Sequence, residues 1–96
     1  MKISVKGYLT FKKTIGGTVE LELEMKNATV RGVLESLSDR YGREFTDLIF
    51  DPNTKEVSTH IRVLVNGRHY NYLPKGLDTT LQEGDEIALF PPVAGG

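Results

Sequence analysis

From Thr18 to Met25 the chain alternates, with Val19, Leu21, Leu23 and Met25 set against Glu20, Glu22 and Glu24. A two-residue period sends the two sets to opposite faces of a pleated backbone, so this stretch predicts a half-buried β-strand. Lys2 to Phe11 carries Ile3 and Val5 at the same period and predicts an earlier strand. Gly16-Gly17 lies between the two, and a glycine pair tolerates the positive φ of a tight connection. The chain is therefore expected to open with an antiparallel hairpin.

The period then changes. Val30, Val33, Leu34, Leu37 and Tyr41 recur at helical spacing and form one apolar stripe. Thr29 or Asn27 suits the N-cap, and Gly42 suits the stop. Gly32 in the first turn weakens the helix by about 1 kcal/mol relative to alanine, which is read as a close contact against the sheet. Phe45, Leu48, Ile49 and Phe50 predict a short turn or strand before the turn Asp51-Pro52-Asn53. Ile61, Val63 and Val65 alternate up to Asn66-Gly67, a strong hairpin signal, and the chain is expected to return through Arg68 to Tyr72. A short helical turn fits Leu77 to Leu81, and Gly84-Asp85 leads into a last strand, Glu86 to Phe90.

Strands, one main helix and more strands with short connections describe an α+β fold: a mixed sheet of four or five strands with the helix packed on one face. A β-grasp order, with first and last strands side by side in the middle, is consistent with this pattern. Residues 1–90 are expected to form the domain and residues 91–96 a flexible tail.

The balance of 39% hydrophobic and 26% charged residues in 96 positions suits one modest core and argues against disorder away from the ends. A formal net charge of -1 with interspersed signs provides no basic stripe for a phosphate backbone, so nucleic acid is not an expected partner. No apolar run approaches the roughly 20 residues of a membrane span, and no secretory leader pattern opens the chain. A soluble cytoplasmic protein is expected, with no membrane partner. The lack of cysteine excludes disulfides, thiolate metal sites and a thiol nucleophile of the chain's own.

After the last strand comes Pro91-Pro92-Val93-Ala94-Gly95-Gly96. Two prolines hold a chain extended and cannot continue a sheet interior. Val93 and Ala94 are compact, and two glycines let backbone approach another protein's active site closely. Glycines at a chain end also occur as plain fraying.

On the last strand Ile87 and Leu89 are expected to face the helix, which turns Ala88 and Phe90 to the other side of the sheet. Phe90 then either covers an edge of the core or, with Leu64 and Val93, centres a partner-docking patch with Arg62 as a rim charge. His60 and His69 lack neighbouring ligands and read as ordinary strand or turn residues, so no metal site is expected. Glu20, Glu22 and Glu24 read as a solvated face, and Asp85 and Glu86 as turn formers. Gly16-Gly17 lacks the Lys and Ser/Thr of a phosphate-binding loop, and Ser4, Ser36, Ser38 and Ser58 lack a triad context.

The stretch from Leu81 through Gly84-Asp85-Glu86 and Phe90-Pro91-Pro92 to Gly95-Gly96 resembles the ending of the MoaD/ThiS sulfur carriers. The resemblance extends back through Val63-Leu64-Val65-Asn66-Gly67 and the helix from Thr29 to Tyr41, and Arg43 to His60 make this chain longer than the shortest members. It implies a β-grasp fold and a non-catalytic carrier, counted in some members as the small subunit of molybdopterin synthase. Its chemistry would lie at the Gly96 carboxylate. An E1-like partner would adenylate Gly96 with ATP, and a persulfide would displace AMP to leave a thiocarboxylate. The tail would then enter a sulfur-accepting enzyme, such as the large subunit of molybdopterin synthase. ATP and the persulfide would be used by the partner, and the chain itself would bind no cofactor. Supply of sulfur for thiamine or cysteine biosynthesis, conjugation to a target lysine as a ubiquitin-like modifier, and a plain binding module with an inert tail are the other readings.

Overall fold

The computed structural model describes residues 1–8, 10–15, 17 and 20–91. Five strands form one sheet: β1 (Lys2–Gly7), β2 (Glu20–Glu24), β3 (Arg62–Val65), β4 (Arg68–His69) and β5 (Glu86–Phe90). Three helices, α1 (Thr10–Thr14), α2 (Val30–Tyr41) and α3 (Arg43–Ile49), lie in the connections. The strand order is β2-β1-β5-β3-β4. β1 and β5 run parallel at the centre, and β2, β3 and β4 join antiparallel to their neighbours. This is the β-grasp order.

Register explains the core. One row across the sheet reads Leu21, Val5, Ile87 and Val65, and the next places Leu89 opposite Val63. These residues share a parity and therefore a face, where Val5, Ile87, Val63, Val65 and Leu89 are buried with Val30, Val33, Leu34 and Leu37 of α2. Thr29 caps α2 by accepting from the Gly32 N–H at 3.0 Å, and Gly42, at φ 82°, ends it by donating to the Ser38 carbonyl at 2.8 Å. Replacing Thr29 by Ala should cost about 1 kcal/mol through loss of that cap, read as a lower urea midpoint with an unchanged m value.

Three local expectations are corrected. The strand pattern through Phe11 ends at Gly7, and the chain turns into α1. The turn folds back so closely that a Cβ on Gly7 would lie 2.8 Å from Ile15 Cδ1 and 3.1 Å from the Phe11 backbone. A short helix, with Gly17 at φ 80° after it, thus replaces a tight glycine turn between two strands that do pair antiparallel. Gly16, Thr18 and Val19 lie outside the described residues.

Phe45 to Phe50 is neither turn nor strand up to Ile49. Phe45 and Ile49, four apart, are buried on one side of α3, and only Phe50 forms a bridge, to Val57. The expected turn at Asp51 is present, with its Oδ1 accepting from the N–H groups of Asn53 and Thr54 at 2.8 and 3.2 Å. The return from Asn66-Gly67 is a strand only over Arg68–His69, because Tyr70–Tyr72 turns as a 3₁₀ helix. Both Asn66 (φ 51°) and Gly67 (φ 85°) are left-handed, as a type I′ hairpin turn requires. The helical turn expected at Leu77 to Leu81 is a 3₁₀ segment at Gly76–Asp78. Among the described residues no helix is long and apolar enough to cross a membrane.

Candidate functional site

The helices cover one face of the sheet and leave the other open. On that open face the alternate positions Lys2, Ser4 and Lys6 of β1 lie beside Glu86, Ala88 and Phe90 of β5, with Arg62 and Leu64 of β3 beyond. Arg62 pairs in register with Phe90 and Leu64 with Ala88, so three of the four residues expected to form a docking patch share one surface, and the fourth, Val93, lies outside the described residues. Arg62 is exposed, while Leu64 and Phe90 are half-buried. Ile87 and Leu89 point the other way and are fully buried, as the alternation predicts.

Phe90 has a neighbour that the alternation did not single out. The Tyr8 ring stacks on it with centroids 4.6 Å apart and planes 4° from parallel. The Tyr8 N–H donates to the Leu89 carbonyl at 3.1 Å, which continues the central parallel ladder beyond β1. Parity with Ser4 and Lys6 was the available signal for the face of Tyr8, but the pairing of β1 with β5 has no local signature. Phe90 therefore both packs, against Tyr8, and presents apolar surface.

The open face divides into two halves. On the β1, β2 and β5 side Lys6 is paired: its Nζ lies 3.0 Å from Glu86 and 3.7 Å from Glu20. The hydrogen bond and charge of Glu86 hold the Lys6 ammonium above its ordinary pKa. On the β3 and β4 side Arg62 has no ion pair among the described residues. His69, opposite Leu64, is held by stacking on Tyr70 at 4.6 Å and by its Nδ1, which accepts from the Asn71 N–H at 3.1 Å. Tyr72, edge-on to His69 at 6.3 Å, is 77% exposed. His60 is exposed. No cluster of three or more metal-ligating side chains occurs among the described residues.

Pro91, the last described residue, is buried where the central strand β5 ends beside Tyr8 and Arg62. Pro92, Val93, Ala94, Gly95 and Gly96, which carry the expected chemistry, lie outside the described residues.

The sequence model of the ThiS family matches residues 8–96. The chain belongs to the ThiS family. Among its relatives it is similar to Small archaeal modifier protein 3 of Haloferax volcanii, at 38% identity over the full length of both chains. Its fold is similar to that of small archaeal modifier protein 1 from Methanosarcina acetivorans, at 33% identity and a TM-score of 0.83, covering 99% of this chain and 96% of that one. It is also similar to a putative molybdopterin converting factor, subunit 1, from Pyrococcus furiosus, at 28% identity and a TM-score of 0.74, covering 97% and 99%. The ThiS-family fold is thus the ubiquitin-like β-grasp of small modifier proteins, which are not catalytic enzymes.

Proposed function

We infer that the chain is a sulfur carrier whose reactive group is the Gly96 carboxylate. The observation that carries this reading is a ThiS-family β-grasp in which the central strand runs directly into Pro91-Pro92 and an ending in Gly95-Gly96. A free carboxylate is a poor electrophile. An E1-like partner joins it to the α-phosphate of ATP, releasing pyrophosphate and leaving an acyl adenylate. A partner persulfide attacks the acyl carbon and expels AMP. A second partner thiol then cleaves the sulfur–sulfur bond, leaving the thiocarboxylate on Gly96 and a disulfide on the partner. Gly95, Ala94, Val93, Pro92 and Pro91 thread the tail, while Phe90, Leu64 and Arg62 contact the enzyme that receives it.

The chain contributes no cysteine to this chemistry, so thiol and persulfide both belong to the partners. The acceptor that best suits the reading is a large subunit of molybdopterin synthase, an assignment supported by the likeness to the putative molybdopterin converting factor. Conjugation of Gly96 to a lysine is the second reading, favoured by the full-length relative named as a modifier. Both begin with the same adenylate.

Intact-mass analysis after incubation with an E1-like enzyme, ATP and a sulfur source tests the proposal. The expected gain equals exchange of one oxygen for sulfur. Lysine-linked adducts without that species would favour the modifier, and an unchanged mass beside a demonstrably active partner would overturn both.

A further inference from the structure

The hairpin between β3 and β4 turns on Asn66-Gly67, and of the asparagines in the chain, Asn27, Asn53, Asn66 and Asn71, only Asn66 precedes a glycine. That pair has a reaction of its own. The Gly67 nitrogen attacks the side-chain carbonyl carbon of Asn66, a carbon–nitrogen bond forms, and Nδ2 leaves as ammonia with the proton that Gly67 gives up. Water then opens the resulting five-membered imide at either carbonyl. One opening leaves aspartate, and the other leaves isoaspartate, with the backbone rerouted through the side chain. Glycine permits the attack because it has no Cβ to crowd the approach, and both residues are exposed at the turn.

In the folded chain the same asparagine is clamped. Its Nδ2 donates to Asp85 Oδ1 at 3.0 Å, and its Oδ1 accepts from the Glu86 N–H at 2.9 Å. The Asn66 backbone N–H donates to the Glu86 carbonyl at 2.8 Å. Asp85 is itself fixed, because its Oδ2 accepts from the Gln82 N–H at 2.7 Å and its N–H donates to the Gln82 carbonyl at 3.0 Å. Rotating the Asn66 side chain toward Gly67 breaks the bonds to Asp85 and Glu86 together. The backbone opposes the reaction as well. Closing the imide places the Asn66 Cβ and the Gly67 nitrogen on the same side of the Cα–C bond, whereas the type I′ turn, at φ 51° and 85°, holds them apart.

β4 is two residues long, so the hairpin opens locally at less cost than the sheet as a whole. We propose that Asn66 is a site of spontaneous deamidation gated by the clamp from Asp85 and Glu86, and that its conversion frees the turn from the start of β5. The reaction needs only water and is independent of the tail chemistry. Conversion replaces the Nδ2 donor with a carboxylate oxygen at hydrogen-bond distance from Asp85 Oδ1, so an attraction becomes a repulsion between two carboxylates. The isoaspartate product also lengthens the backbone by one carbon inside a tight turn, which then no longer holds Val65 opposite Arg68.

The test is peptide-resolved mass spectrometry of the full-length chain held at mildly alkaline pH, following the mass gain of one amide-to-acid exchange at each asparagine. In urea Asn66 is expected to convert faster than Asn27, Asn53 and Asn71, and folding should slow it about tenfold or more. Asp85→Ala should restore much of the unfolded rate in the folded chain. Thr29→Ala, whose lost cap lies on α2, controls for general destabilisation and should leave the Asn66 rate near wild type. Asn66→Asp reports the consequence, with loss of exchange protection at the position-66 N–H that bonds the Glu86 carbonyl. Equal rates for folded and unfolded wild type, an Asp85→Ala rate no higher than wild type, or equal acceleration by Thr29→Ala would overturn the clamp as the gate. No conversion in urea would overturn the reactivity of the site. Unchanged protection in Asn66→Asp would overturn the release of the turn.

Discussion

Deletion of Gly96 is expected to reduce thiocarboxylate formation to background, with no shift in the melting midpoint. The deletion leaves a terminal carboxylate, now on Gly95, so the reacting group is not lost but moved. The displacement is one residue, about 3.5 Å of extended chain. Misplacement by about 1 Å already costs on the order of 100-fold in a reaction that depends on alignment, so a loss of at least about 100-fold in kcat/KM is expected. Gly95→Val keeps the length and tests the other requirement. A β-branched side chain stiffens the backbone and fills space where glycine lets it approach closely, and a loss of similar size is expected. Exchange kinetics and intact mass check both variants. Full activity in the deletion would mean that the carboxylate is not held by its distance from β5, which would sink the assignment of the reaction to Gly96 in particular while leaving carrier chemistry in place.

The patterns visible in the sequence were those with a long, uninterrupted period. The helix from Val30 to Tyr41 has its stripe, cap and stop within the segment, and the structure places Thr29 and Gly42 at its ends. The pairing of Arg62 and Leu64 with one face, and of Ile87 with the other, follows from alternation alone. α3 was hidden because Phe45, Leu48 and Ile49 span too few residues to separate a helical from an extended period. α1 was hidden because Phe11 continues a strand-like run, and only the tight approach at Gly7 shows why the chain must leave the sheet. Tyr8, His69 and Tyr72 belong to the open face through tertiary position, Tyr8 by a parallel pairing of strands about 80 residues apart whose closure has no local mark. The chemistry proposed for the tail, by contrast, was read from the family resemblance of its ending, and Pro92 to Gly96 lie outside the described residues.

Phe11→Ala is expected to be the most damaging of the core substitutions that leave the tail untouched, at about 3 to 5 kcal/mol. The ring is fully buried and meets Phe45 edge-on with centroids 6.1 Å apart. It is the residue by which a helix of five residues reaches the core, together with Ile15 just beyond it. So short a helix has little stability of its own, and its position depends on that anchor. Alanine would leave a cavity between α1, α3 and the sheet that the rigid register of β1 and β5 prevents from closing. Against a total of about 5 to 15 kcal/mol for a domain, such a loss brings the chain close to unfolding near its working temperature. Phe90→Ala gives the comparison, because its ring is half-buried and loses mainly the stack on Tyr8, about 0.5 to 1.5 kcal/mol beyond the area it covers. Urea midpoints of the two variants should therefore separate clearly, Phe11→Ala far below Phe90→Ala. Equal midpoints would mean that α1 is not anchored through Phe11, and that the turn at Gly7 is held by the backbone contacts around Tyr8 instead.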